Sequence, residues 1–223
     1  MALTDEAIEK IKEMIVSGSL SPGERLPKED DLARTLGISR NSLREAVRAL
    51  TLVRILDVRQ GDGTYVTSLE PRLLLDAVSF VADFHRDDSV LYLIEVRRML
   101  EPQATALAAR RIKRGEVQRL SALVDEVDAD SDVETLVAND LEFHRRIADS
   151  CGNPVLSALL DSVSVPTARA RVWRGLTEDR ALERTLDEHH EIVDALARHE
   201  PEIAAARAAT HIAGLEDWLR KAL

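Results

Sequence analysis

Four side chains in the second half of the chain interrupt apolar stripes with groups that can do chemistry. One stripe runs Val133, Leu136, Val137, Asp140, Phe143, His144 and Ile147. Asp140 and His144 are four residues apart, so on a helix they point the same way. His189 breaks a second stripe of Leu182, Leu186, Val193 and Leu196, and His211 breaks a third of Ala204, Ala208, Leu215 and Trp218. One carboxylate and three imidazoles are therefore expected to face a core, where an unpartnered polar group is costly. A divalent metal relieves that cost by taking their lone pairs together. The set suits Zn²⁺ first, and also Ni²⁺, Mn²⁺ or Fe²⁺. The plainer alternative is three separate core histidines with private hydrogen bonds, but the four together weigh toward a metal. His190 competes with His189; it lies about 100° round the helix, near Glu191 and Asp194, so geometry ranks His189 first.

Arg97 is a further interruption, on the stripe Val90, Leu93, Ile94, Leu100, Ala104 and Leu107. An inward arginine needs a negative partner. Glu101, one turn on, can supply it as a structural ion pair. Alternatively the fork is held ready for a carboxylate ligand beside the metal. His85 and His199 fall near helix ends and read as surface or capping residues. The lone Cys151 permits no internal disulfide, which fits a reducing cytoplasm, and reads as a small core residue.

The stripes lie on a run of helices predicted at 72–85, 88–111, 115–129, 132–151, 154–174, 178–199 and 201–222. Their lengths and patterns differ, so this is a bundle rather than a repeat. A different organisation precedes them. Helix 4–17 carries Ala7, Ile8, Ile11, Met14 and Ile15 inward, with Thr4 as its cap. The segment GSLSPGERLP marks a loop, and a second helix after Pro27 buries Leu32, Ala33 and Leu36. Gly37 permits a sharp turn and Ser39 caps the next helix. There Leu43, Ala46, Val47 and Leu50 face inward while Arg40, Arg44 and Arg48 share the opposite face, with Asn41 and Ser42 near its start. Such a helix suits base edges and phosphates. Leu52 to Val58, the turn RQGDG and Thr64–Val66 form a hairpin, or wing, whose Gly61 and Gly63 permit close approach and whose tip offers Arg59 and Gln60.

Charge agrees with this division. The chain of 223 residues carries a formal net charge of −10, which excludes a protein that coats nucleic acid. Leu32–Gly61 nevertheless holds six arginines against two acidic residues. A basic patch on an acidic body suits a site-specific regulator. No secretory leader pattern and no membrane-length apolar run is visible, so a cytoplasmic protein without a membrane partner is expected.

From Ile15 to Val66 the chain resembles the GntR family of bacterial transcription regulators. The resemblance rests on Gly18, PGERLP, Leu32, Ala33, Leu36, Gly37, Ser39, Arg40, LREAVRAL, Gly61, Gly63 and Val66. Two features depart from the family: Asp30 stands where many members carry a DNA-contacting arginine, and TLVRIL replaces the usual Leu-Glu-x-x-Gly-Leu before the wing. The remainder resembles the FCD ligand-binding domain of the FadR-like branch. The matching residues are Arg97, Leu100 and Glu101, then NDLEFHRRIADSCGNP with Asp140, His144 and Asn153, then His189, Ile192 and His211. This resemblance implies an antiparallel helical bundle with a metal at the floor of a cavity, a small organic acid over it, and a homodimer on a short palindrome.

The resulting expectation is a mainly α protein: a winged helix-turn-helix over residues 1–68 and an all-helical metal- and effector-binding, dimerising domain over 72–223. The expected DNA contacts are Arg34, Ser39, Arg40, Asn41, Ser42, Arg44, Gln60 and Gly61. The expected metal ligands are Asp140, His144, His189 and His211, with Arg97 and Asn153 toward the effector. The expected function is a metabolite-responsive regulator, most often a repressor in this family, and not an enzyme. Its partners are double-stranded operator DNA, a small carboxylate and a second copy of the chain. The rivals are a metal-dependent hydrolase or lyase, a metal-ion sensor, and a fatty-acyl regulator without metal.

Overall fold

A computed structural model describes residues 3–71, 73, 89–128, 130–178 and 180–222. The expected helix 72–85 and His85 lie outside these. The chain divides into two compact units, Met1–Leu74 and Leu75–Leu223.

The first unit contains α1 (Leu3–Val16), α2 (Glu29–Leu36), α3 (Arg40–Leu52), β1 (Leu56–Arg59) and β2 (Gly63–Val66). Its core joins Ala7 and Ile11 of α1 to Leu32 and Ala33 of α2, Leu43, Ala46 and Leu50 of α3, and Leu56 and Val66 of the hairpin. Thr4 falls inside α1, because the helix starts one residue earlier than its expected cap. α2 ends on Gly37 in the left-handed conformation, φ 66°, where its N–H returns to the last turn. No side chain crowds that position, so backbone conformation alone requires glycine. Ser39 caps α3 by accepting from the Ser42 N–H. β1 and β2 pair antiparallel, Leu56 opposite Val66 and Arg59 opposite Gly63. Part of the expected loop before α2 is extended instead: Leu26 N–H donates to Thr64 O at 2.8 Å and Val66 N–H to Glu24 O at 2.9 Å, which ties the wing to the head.

The second unit contains α4 (Ser89–Ala109), α5 (Arg114–Asp125), α6 (Val133–Ser150), α7 (Pro154–Ser164), α8 (Ala168–Thr177), α9 (Ala181–Ala197) and α10 (Pro201–Ala222). The sequence predicts one helix over 154–174. The structure breaks it at 165–167, around Pro166, which has no N–H to continue the ladder. The break separates α7 from α8. The largest core cluster joins Ala108 and Ala109, Leu120 and Val124, Phe143 and Ile147, Ile192 and Leu196, and Ala204 and Ala208. Thus α4, α5, α6, α9 and α10 share one interior, and the polar interruptions of their stripes are carried into it. Among the described residues no helix is long and apolar enough to cross a membrane.

Candidate functional site

Asp140 and His144 come from α6, His189 from α9 and His211 from α10, and all four are buried. One ligand atom from each lies within 4.8 Å of all the others. His144 Nε2 is 3.1 Å from His211 Nε2. Asp140 Oδ1 stands 3.4 Å from His144 Nε2, 3.3 Å from His189 Nε2 and 4.0 Å from His211 Nε2. Donors 2.0–2.1 Å from a tetrahedral ion lie roughly 3.3 Å apart, so this spacing fits one small divalent cation.

The surroundings fix the ring orientations. Glu101 of α4 pairs with His144 Nδ1, and Glu188 of α9 holds His211 Nδ1 at 2.7 Å. With Nδ1 committed to a carboxylate, Nε2 is left toward the cluster, which is how outer carboxylates orient metal-binding histidines. His189 is held by stacking on Phe143, centroids 4.0 Å apart. Neither of its ring nitrogens makes a hydrogen bond among the described residues, though the ring is buried. A buried donor set left short of partners is what a cation would satisfy. The structure thus brings together the four residues expected as ligands. His190 lies outside the cluster, half-exposed, 3.7 Å from Asp125.

Charge is already uneven at the centre. Burial opposes ionisation of Glu101, but Arg97 and His144 outweigh it and hold the carboxyl below its usual range. Asp140 is likewise held well down by His144 and His189 against its burial. Burial would lower His144, yet Glu101 and Asp140 raise it to about 9. Burial pushes His189 down to about 4 and His211 down to about 3. His144 is thus the ring that favours an added proton, and His189 and His211 the rings that favour the neutral form, each with a lone pair to offer.

Two residues expected toward the effector are engaged by the protein itself. Arg97 is buried, but its Nε donates to Glu101 Oε2 at 2.9 Å, its Nη2 to Glu101 Oε1 at 3.3 Å and its Nη1 to Thr167 Oγ1 at 3.3 Å. The ion pair has taken the fork, and Arg97 acts on the cluster through Glu101 and His144. Asn153 is exposed and caps α7, its Oδ1 accepting from the N–H groups of Val155 and Leu156. Its geometry serves the helix rather than the cluster.

Beside the cluster is a cavity of about 100 Å³ lined by Asp140, His189 and His211, by apolar Val133, Leu136, Leu182 and Leu186, and by Arg171 and Arg174 of α8. Arg171 Nη1 stands 2.8 Å from Asp140 Oδ2, close enough for attraction. Neither terminal nitrogen of Arg171 completes a hydrogen bond among the described residues. Arg174 is paired with Glu178. The sequence reading missed Arg171 because it ran α7 and α8 together. The signal available was the pair Arg171 and Arg174, three apart in the otherwise apolar-rich ARARVWRG.

In the first unit, Arg34, Ser39, Arg40, Asn41, Arg44, Gln60 and Gly61 are all exposed. Ser42 is not: it turns inward against Ser39, hydroxyl to hydroxyl at 2.8 Å, and helps build the start of α3. Arg40 Nε lies 2.9 Å from Asp30 and Arg44 Nε 2.8 Å from Glu29, both acids from α2. In the wing, Gly61 takes φ 78° at the turn, and Arg59 stacks over Tyr65, 4.1 Å from its centroid.

A winged helix-turn-helix with arginines on its exposed helix, followed by a helical domain holding an Asp/His₃ cluster, defines a class of DNA-binding regulator. The family model described as bacterial regulatory proteins, gntR family, matches residues 3–66, and the FCD domain model matches residues 92–214. The chain is 30% identical over 212 residues to the HTH-type transcriptional regulator LutR of Bacillus subtilis, covering 92% of this chain and 96% of that one. It is 29% identical over 220 residues to the galactonate operon transcriptional repressor of Escherichia coli, covering 94% and 93%. Among solved structures, Streptococcus agalactiae GntR aligns with a TM-score of 0.77 at 28% identity, covering 96% of this chain and 99% of that chain. This protein belongs to the GntR family of transcription regulators and carries an FCD domain.

Proposed function

We propose that the protein is a homodimeric repressor whose grip on a palindromic operator is released by a small carboxylate, bound over a divalent metal in the helical domain. Residues 1–68 form the DNA-reading part and 72–223 the metal- and effector-binding, dimerising part. The observation that carries the reading is the Asp140, His144, His189 and His211 cluster at the wall of a cavity that also presents Arg171. When bound, the metal, Zn²⁺ first among candidates, supplies a Lewis-acidic anchor for carboxylate oxygens. Arg171, whose Nη1 faces Asp140 Oδ2, brings its guanidinium charge to the same carboxylate, with Nη2 as the donor. Val133, Leu136, Leu182 and Leu186 pack against the body of the acid. A cavity of about 100 Å³ suits an acid of a few carbons, since benzene occupies an engineered cavity of about 150 Å³. A relative is named for a galactonate operon, and galactonate is a carboxylate. An exposed apolar stripe on α4, with Tyr92, Val96 and Met99 at i, i+4 and i+7, supports pairing with a second copy.

Effector and operator bias one equilibrium, so an acid that weakens operator binding must itself bind less well to the DNA-bound protein, by the same factor. The test is operator affinity of metal-loaded protein with and without a panel of small hydroxy and sugar acids, wild type beside Asp140→Ala. Release by a carboxylate in the wild type alone is expected. A panel that binds the cavity yet leaves operator affinity unchanged would overturn the switching.

A further inference from the structure

Two carboxylates on the first turn of α2 reach across to two arginines of α3. Asp30 Oδ1 sits 2.9 Å from Arg40 Nε, and Glu29 Oε1 sits 2.8 Å from Arg44 Nε. The acids are consecutive on α2 and the arginines are four apart on α3, so the second contact repeats the first one helical turn on. In both, the closest approach is at Nε. A carboxylate seated there occupies the side of the guanidinium. The end edge, Nη1 with Nη2, is left for another acceptor pair, and the O6 and N7 edge of guanine in the major groove is such a pair.

We propose that Asp30 is a positioning residue for base recognition: it braces Arg40 from the side so that its end edge reads a guanine. This deepens the DNA-binding reading and rests on it. A long exposed arginine otherwise samples many rotamers, and a loose guanidinium near DNA finds the nearest phosphate, which carries no sequence information. Holding Nε beside a fixed carboxylate restricts the side chain before binding. It also withdraws part of its charge from the phosphates. Asp30 therefore exchanges general affinity for discrimination.

Other uses of Asp30 are open to physical comparison. As one of three acids, Glu29, Asp30 and Asp31, in the first turn of α2, it favours the helix dipole. That role would move stability and binding to all sequences alike. As an exposed acid it could repel DNA without orienting anything, or accept directly from the amino group of cytosine. The pair itself is well exposed, 65% for the Arg40 side chain and 57% for Asp30, so breaking it leaves the core intact.

The test starts with the full-length wild-type protein and a pool of randomised duplex DNA, from which a binding site is selected. Failure of the wild type to select any sequence would sink the DNA-reading proposal itself, before Asp30 is examined. With a site in hand, each base pair is substituted and affinity measured for wild type, Asp30→Ala, Asp30→Asn, Arg40→Lys and Asp30→Ala/Arg40→Lys. The position read by Arg40 is the guanine whose discrimination, about 5- to 150-fold for a bidentate contact, is lost in Arg40→Lys. Asp30→Ala is expected to reduce discrimination at that same guanine by at least about threefold. It should add nothing further in the Arg40→Lys background. Binding to unselected DNA should tighten, with a salt slope steeper by about 0.9 as Arg40 gains a phosphate. Asp30→Asn, whose amide oxygen still accepts from Nε, should recover part of the discrimination. Three results would overturn the brace: uniform weakening on every sequence, uniform tightening with guanine discrimination intact, or a changed preference confined to a cytosine or adenine position.

Discussion

Stripping the metal should destabilise the helical unit, and the size of the effect follows from the site. The four donor atoms already lie within 4.8 Å of one another, and Glu101 and Glu188 already hold two of the rings. Little binding energy is then spent on ordering ligands, so it appears as folding stability. At a free metal concentration of about 1,000 times Kd, the gain is about 4.1 kcal/mol. For a unit of this size, each kcal/mol moves Tm by about 2–4 °C, so chelation should lower the melting temperature by roughly 8–16 °C. The assay is thermal unfolding of untagged protein before and after chelation and after Zn²⁺ is restored, with metal content measured alongside. His189→Ala removes one of the four donors and should abolish most of the response. His190→Ala, half-exposed and outside the cluster, should leave it intact. Well-folded wild type with no metal and no Zn²⁺-dependent shift would refute the reasoning, because four buried donors at this spacing would then be satisfied without an ion.

Three further outcomes are expected. Metal affinity should rise with pH: in the metal-free site Glu101 and Asp140 keep a proton on His144 up to about pH 9, and a cation must displace it. Log K should climb with a slope of roughly one through the pH units below about 9 and then flatten, as read by competition with a chelator; a flat profile would show that His144 is not displaced into the ligand set. Arg171→Met should weaken binding of a releasing carboxylate by roughly 10- to 150-fold in calorimetry, the value of charge-assisted hydrogen bonds, while metal content stays near wild type. An unchanged Kd would return the carboxylate to another partner. Asn153→Ala should cost about 0.5–2 kcal/mol in urea unfolding through the lost cap, with effector response preserved. A selective loss of response would instead restore Asn153 to the effector site.

Much of the arrangement is legible in the sequence because it is set by local periodicity. The pairing of Asp140 with His144 follows from one helical turn, and the choice of His189 over His190 follows from which of two neighbours continues an apolar stripe. The head is equally readable: Gly37 at positive φ and Ser39 as a cap are demands of the backbone, each met by few residue types. The fold class and the family followed from those positions.

What periodicity leaves open is decided by packing between helices. A stripe shows that Arg97 points inward but not what waits there, and both an ion pair and a free fork satisfy the same pattern. Glu101, one turn on along α4, takes Nε and Nη2 of Arg97, and Thr167, from the break before α8, accepts from Nη1; only the second of these contacts needed the tertiary structure. Arg171 is the converse case. It follows the break at Pro166, in a region read as continuous helix, and its contact with Asp140 joins α8 to α6, which no pattern within one helix reveals. Ser42 is a local case in the head: its position on α3 puts it near the arginines, but it is buried and its hydroxyl meets that of the cap residue Ser39, three residues earlier. The sequence by itself determined which residues share a face, because that depends on rise and turn within one element. Only the tertiary structure decided which faces meet and at what distance, because the metal spacing, the Glu101 and Glu188 supports and the Arg171 approach all join groups held by different helices.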